Sequence, residues 1–200
     1  VTNSVPLVER KRRQARQRIL LAADELFVLH GFDKVSVSDI AERAEVGRTT
    51  FFRYFGDKQE VVFAKQQELL DSIASARDQD AFAVARTTAE AVEQLRPIVL
   101  NLCARATADP EGYTRHYQLL AQHAELQARG ALKVEKIAES LTELLIHRGC
   151  EPFLARLATE ISVACYRTPM HLGNNPATLL DETETAFERV LSLGTNSAGA

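Results

Sequence analysis

VSVSDIAERAEVGRTTFFRYFGDK, from Val35 to Lys58, holds two short helical patterns joined by a tight turn. Ser36 is a favourable N-cap, and Asp39 three residues on supplies the acidic partner of a capping box. Ile40, Ala41 and Ala44 then recur at helical spacing and form one apolar stripe. Glu45-Val46-Gly47 breaks the pattern. A second helix is expected from Arg48, with Phe51 and Phe55 four apart and facing inward. Arg48, Thr49, Phe52 and Arg53 fall on the opposite face, which carries no acid and offers groups that reach a base edge or a phosphate. Two helices, a short turn and such an outer face are the signature of a helix-turn-helix.

The charge distribution agrees with a DNA-facing end. The net charge over 200 residues is −3, which argues against a wholly basic nucleic-acid binder. The average hides an asymmetry. Arg10, Lys11, Arg12, Arg13, Arg16 and Arg18 crowd the start with no acid among them, while acids outnumber bases beyond Lys58. A basic end attracts phosphates and an acidic body does not. The plainer reading of the basic run, a solvated helix start, is weakened by the adjacent helix-turn-helix.

IAERAEVGRTTFFRYFGDK, preceded by HGFDKVSVSD, resembles the DNA-binding segment of the TetR family of bacterial transcriptional regulators. Turn, aromatic pair, terminal aromatic and trailing lysine match in order. The resemblance covers about the first third of the chain. It departs from the family at two places: Glu45 stands where the turn usually has glycine, and Phe52 where tyrosine is frequent. A non-glycine residue at positive φ costs about 1 kcal/mol. The Phe52 ring can still pack against a thymine methyl.

The resemblance implies an all-α fold. Residues 1–58 would form an N-terminal arm and a three-helix DNA-binding domain, and residues 59–200 a helical ligand-binding and dimerisation domain, about nine helices in all. It also implies double-stranded operator DNA as partner, a homodimer, and a small-molecule inducer whose identity the sequence does not give. By position, Arg48, Thr49 and Phe52 would touch bases. Thr50, Tyr54 and Lys58 would touch phosphates, and Ser36 and Ser38 would add backbone contacts. The alternative for Phe52 and Tyr54 is a place in the core.

The rest of the chain reads as helix throughout. A mobile arm over residues 1–9 leads into a helix from about Lys11 to His30, with Ile19, Ala22, Ala23, Leu26, Phe27 and His30 inward and Gly31 as its stop. A helix from Lys58 to Arg77 should connect to the body. After Asp78-Gln79-Asp80 an alanine-rich stretch from Phe82 to Ala108 is helical by propensity, and Pro97 implies a kink or two helices. Helices are expected over 113–124 and 126–148, then from Pro152, and finally from Pro176 to Gly194. No strand pattern appears.

In the body, Asn101, Cys103, Tyr113, Tyr117 and Tyr166 are polar or aromatic residues among apolar ones, as a ligand pocket requires. His116, His123 and Arg167 share that character, but each of these residues also has an ordinary core or surface reading. His116 and His123 lack the further ligands a metal would need, so neither metal nor cofactor is expected. Leu154, Leu157, Ile161, Leu180, Phe187 and Val190 form apolar stripes on the last two helices, suited to a four-helix bundle with a second copy. The alternative spends both stripes on the chain's own core.

Cys103, Cys150 and Cys165 are widely spaced without a CxxC, which leaves reduced core thiols as the default. No apolar run is long enough to span a bilayer, and the start lacks a signal-peptide core, so a cytoplasmic protein with no membrane partner is expected. Enzyme motifs of the GxSxG, HExxH and Walker type are missing. The resemblance implies a sequence-specific DNA-binding transcriptional regulator, a repressor released from its operator by a small-molecule ligand, repression being the family's commonest mode. The rival is a DNA-binding regulator or architectural protein with no small-molecule response.

Overall fold

The structure, a computed structural model, describes residues 7–75 and 83–195. Most of the expected arm, the Asp78-Gln79-Asp80 break and the end of the tail lie outside them. The chain divides into two compact units, Val1–Ala64 and Lys65–Ala200. The first therefore reaches past Lys58, where the sequence reading drew its boundary.

The first unit holds α1 (Leu7–His30), α2 (Val37–Arg43), α3 (Arg48–Phe55) and α4 (Lys58–Val62). Ile19, Ala22 and Ala23 of α1 meet Ile40, Ala41 and Ala44 and the rings of Phe51 and Phe55 in one core. His30 is exposed at the end of α1, not part of the buried face expected for it. α1 stops at Gly31, whose φ of 80° is open to glycine and whose N–H donates to Phe27 O at 3.0 Å. The capping box forms: Ser36 Oγ accepts from Asp39 N at 3.2 Å, and Asp39 Oδ2 accepts from Ser36 N at 2.8 Å. Both bonds, the backbone one foremost, favour the ionised Asp39 carboxylate and hold its pKa below the usual value.

The expected helix from Lys58 to Arg77 is broken. α4 ends at Val62, Phe63 takes φ −101° and ψ 14°, and α5 (Ala64–Ser75) starts afresh. The break accounts for ten helices among the described residues where about nine were expected. Phe63 itself is buried, so a core position for its ring outweighs helical regularity at that residue.

The second unit contains α6 (Thr88–Ala106), α7 (Pro110–Gln122), α8 (Ala124–His147), α9 (Pro152–Leu172) and α10 (Leu179–Thr195). α6 is its centre, packed most extensively on α9 and also on α10. It starts at Thr87, whose Oγ1 accepts from Glu90 N at 3.2 Å, later than the Phe82 start expected. Pro97 is accommodated inside α6 as one helix. Asp109 and Glu151 cap α7 and α9 ahead of a proline at the first helical position. α10 begins at Leu179, because residues from Asn175 to Thr178 form a turn instead of the helix start expected at Pro176. Val92, Leu95, Val99, Leu141, Leu144, Leu145, Cys165 and Phe187 lie in the core. Phe187 is fully buried there, so it has no surface to offer a second copy. Leu154, Ile161, Leu180 and Val190 are partly buried against the same core, while Leu157 is 41% exposed. Among the described residues there is no strand, and no helix is long and apolar enough to cross a membrane.

Candidate nucleic-acid interface

Three attachments, one at the surface and two turned inward, hold the first unit's helices in place. Arg43 of α2 donates through Nε and Nη2 to Glu25 Oε2 of α1, at 2.9 and 2.7 Å. Arg16, part of the basic run, turns inward: Nη2 donates to Ala64 O at 3.1 Å, and its guanidinium lies 5.5 Å from the Phe55 ring centroid. Lys58 does the same from α4. Its Nζ donates to Phe32 O at 2.7 Å and Val35 O at 3.0 Å, and sits 4.1 Å from the Phe32 ring centroid. These carbonyls belong to the segment leading from α1 into α2, so one ammonium ties the start of α4 to the entrance of the helix-turn-helix.

The outer face of α3 stands on this frame. Arg48 and Thr49 are exposed, Thr50 and Tyr54 are half-buried, and Phe52 is 44% exposed. Phe51 and Phe55 take the opposite face into the core. The Phe52 ring meets Phe51 edge-on at 5.7 Å, which steadies a large apolar group at the surface. Arg53 lies 5.4 Å from the Tyr54 ring centroid, while Tyr54 packs against the core. Ser36 and Ser38 are exposed at the start of α2. The Ser36 oxygen already serves as the cap, which leaves its O–H as a donor.

An open groove runs between α1 and the turn before α3. Lys11, Arg12 and Arg18 line it from α1, and Val46, Gly47, Thr50, Arg53 and Tyr54 from the other side. Glu45 is the single acid among the described residues lining it. The turn is a Schellman ending of α2: Val46 N donates to Ala41 O at 2.9 Å and Glu45 N to Glu42 O at 3.0 Å. Glu45 occupies its left-handed position with φ 53°, at a cost of about 1–2 kcal/mol. Its carboxylate lies 3.7 Å from Arg18 Nη1. Sequence reasoning found the α3 face but not the inward roles of Arg16 and Lys58, because helical spacing does not say which carbonyl a long side chain will meet.

In the second unit, four of the five proposed pocket residues come together. The Tyr113 and Tyr117 rings lie 4.6 Å apart, and Tyr117 and Tyr166 bring their hydroxyls to 3.4 Å. Tyr113 donates to Asn174 Oδ1, and Cys103 Sγ donates to Thr183 Oγ1 at 3.7 Å. Burial raises all three phenol pKa values, and it pushes the Cys103 thiol up to about 11. Asn101 does not join them; it is exposed on α6. The sequence reading missed Asn174 and Thr183. Asn174 has φ 50°, a conformation asparagine tolerates better than most residues, and only that tolerance could have hinted at it. His116 packs edge-on against Tyr117, and His123 Nδ1 is 3.0 Å from Leu119 O. Among the described residues no group of three or more His, Cys, Asp or Glu is placed to hold a metal.

Residues 19–64 match the family model described as bacterial regulatory proteins, tetR family. The chain is 42% identical over 59 residues to the HTH-type transcriptional regulator TcmR of Streptomyces glaucescens, an alignment covering 30% of this chain and 26% of that protein. It is 30% identical over 102 residues to the HTH-type transcriptional activator FasR of Mycolicibacterium smegmatis, covering 51% of this chain and 45% of FasR. The matches thus span less than half the length of these curated relatives. Likeness of fold extends further. A TetR-family regulator from Mesorhizobium loti superposes with a TM-score of 0.56 over 91% of this chain and 97% of its own, at 19% identity. The Thermus thermophilus repressor FadR, solved in complex with lauroyl-CoA, gives a TM-score of 0.51 over 88% of this chain and 92% of its own, at 25% identity. TcmR is a transcriptional regulator and FasR a transcriptional activator. The family match falls on the helix-turn-helix and its supporting helices, and likeness of fold continues through the body: residues 19–64 are similar to the DNA-binding segment of the tetR family of bacterial regulatory proteins.

Proposed function

We propose that this protein is a sequence-specific, DNA-binding transcriptional regulator that works as a homodimer on double-stranded operator DNA in the cytoplasm. The observation that carries this reading is the exposed Arg48, Thr49 and Phe52 face of α3, held on a braced frame beside a groove rich in cations. Arginine pairs bidentately with guanine, and Thr49 and Phe52 suit a thymine methyl or a base edge. Thr50, Tyr54, Ser36 and Ser38 would serve as phosphate contacts, with the groove cations adding to the field. Lys58 acts behind this face, since two of its three N–H bonds go to the main chain. The dimer would use the exposed side of α9 around Leu157, together with Leu154, Ile161, Leu180 and Val190 at its margins.

A small-molecule inducer would lodge near Cys103, Tyr113, Tyr117 and Tyr166, where the buried Tyr113 and the half-buried Tyr117 and Tyr166 gather beside the core. Such a ligand releases a repressor only by binding its DNA-free state better, and DNA must weaken ligand binding by the same factor, typically about five- to 150-fold. The FadR complex with lauroyl-CoA supports ligand response as a use of this fold.

The test is selection of duplexes from a random pool, followed by binding of Arg48→Ala. A pseudo-palindrome with half-sites about one helical turn or a multiple of it apart is expected. Arg48→Ala should cost about 1–3 kcal/mol and relax preference at one position per half-site. Equal loss on selected and random DNA would put Arg48 on a phosphate. Failure to enrich any sequence would defeat the regulator reading.

A further inference from the structure

We propose that Glu45 is an electrostatic brake on DNA binding: it engages Arg18 and repels phosphate, so that the sequence-blind, phosphate-borne part of the affinity stays low on every duplex. The inference depends on the DNA-binding reading above and assigns an affinity-setting role to a residue outside the base-reading face.

The position is unusual for a side chain. Glu45 takes φ 53° at the left-handed position of the α2 ending, where glycine meets no steric penalty. Its return inside the protein is small. The carboxylate is 85% exposed, Arg18 is 50% exposed, and their 3.7 Å contact is a surface ion pair of little worth to stability. The strain therefore has no evident compensation in the folded chain, and an outlier of this kind points to a use.

The surroundings indicate which use. The groove presents Lys11, Arg12, Arg18 and Arg53 against this single acid. Phosphates approaching the groove meet a carboxylate beside the N-terminal end of α3, within the distance over which salt leaves charges effective. Arg18 must exchange Glu45 for a phosphate before it contributes to binding. Both effects tax all sequences alike, whereas the gain from Arg48, Thr49 and Phe52 accrues only on the right bases.

The test measures the full chain by fluorescence anisotropy on a labelled operator duplex and on a mixed-sequence duplex, across a salt series. Glu45→Gln keeps the size and removes the charge. It should tighten mixed-sequence binding on the order of three- to tenfold at ~0.1 M salt and steepen the slope of log K against log salt by about one. The ratio of operator to mixed-sequence affinity should stay level, because both duplexes gain alike. In an Arg18→Gln background most of that gain should disappear. Glu45→Gly, which also relieves the positive φ, should give the same gain. A gain with Gly and none with Gln would trace the effect to the backbone and overturn the proposal, as would unchanged affinity and slope in Glu45→Gln. Loss of operator affinity alone would make Glu45 a base-reading acceptor and overturn it too. If the wild-type chain binds neither duplex, the DNA-binding reading fails, a result that no Glu45 variant could produce.

Discussion

Replacing Lys58 with methionine separates a frame residue from a DNA contact. The methionine retains an apolar stem and removes the ammonium that bonds Phe32 O at 2.7 Å and Val35 O at 3.0 Å above the Phe32 ring. Bonds from a charged donor contribute about 1.5–3 kcal/mol each, and a cation over a ring about 0.5–1 kcal/mol where exposed. Lys58 is only half-buried, so water can satisfy the abandoned carbonyls and the lower end applies. A net loss of about 2 kcal/mol is expected, or roughly 10 °C in the melting temperature of a unit this small. The chain has no tryptophan, so the assay is thermal unfolding followed by far-ultraviolet circular dichroism. Below the transition, DNA affinity should keep its salt slope to within about half a unit. An unchanged melting temperature together with a slope shallower by about one would make Lys58 a phosphate ligand and refute the bracing argument.

Leu157→Asp should dissociate the proposed dimer at micromolar concentration and leave the helical signal intact, as read by sedimentation velocity with circular dichroism; an intact dimer would place the interface elsewhere, and a monomeric wild-type chain would refute the dimer itself. Phe187→Ala, by contrast, should cost about 3–5 kcal/mol of stability because its ring is fully buried in the protomer. The Cys103 thiol is raised from an ordinary 9.0 to about 11 by burial, so it stabilises the neutral folded form. That contribution is complete below pH 9 and is lost as pH rises through about 11. Native protein at pH 8 should react with a thiol reagent far more slowly than urea-unfolded protein; equal rates would contradict the burial of Cys103, Cys150 and Cys165.

The helix-turn-helix was legible because its signals are local. Ser36 and Asp39 cap within one turn, and Phe51 and Phe55 repeat at the helical period. The aromatic cluster was partly legible, since Tyr113 and Tyr117 share one helix face while Tyr166 had to arrive from α9. Asn101 was chosen by residue type among apolar neighbours, and its helical phase turned it outward. The break at Phe63 had no glycine or proline to announce it, and the burial of its ring is not visible in the local pattern. Phe187 and Leu157 read alike as members of apolar stripes. Only the neighbours of α9 and α10 decide that one is core and the other exposed.

The packing of α6 on α9 and α10 has a consequence in time. The first unit is assembled from helices adjacent in sequence, with α1 on α2, α2 on α3 and α3 on α4, so each partner is available soon after the last is made. α6 instead finds its main partners in α9 and α10, which begin only at Pro152 and Leu179. At roughly 5–20 residues per second of synthesis, its apolar face waits for seconds. A nascent chain halted before Pro152 would therefore carry a folded N-terminal unit and an unpaired α6, whose buried-to-be Val92, Leu95 and Val99 are what a chaperone would grip.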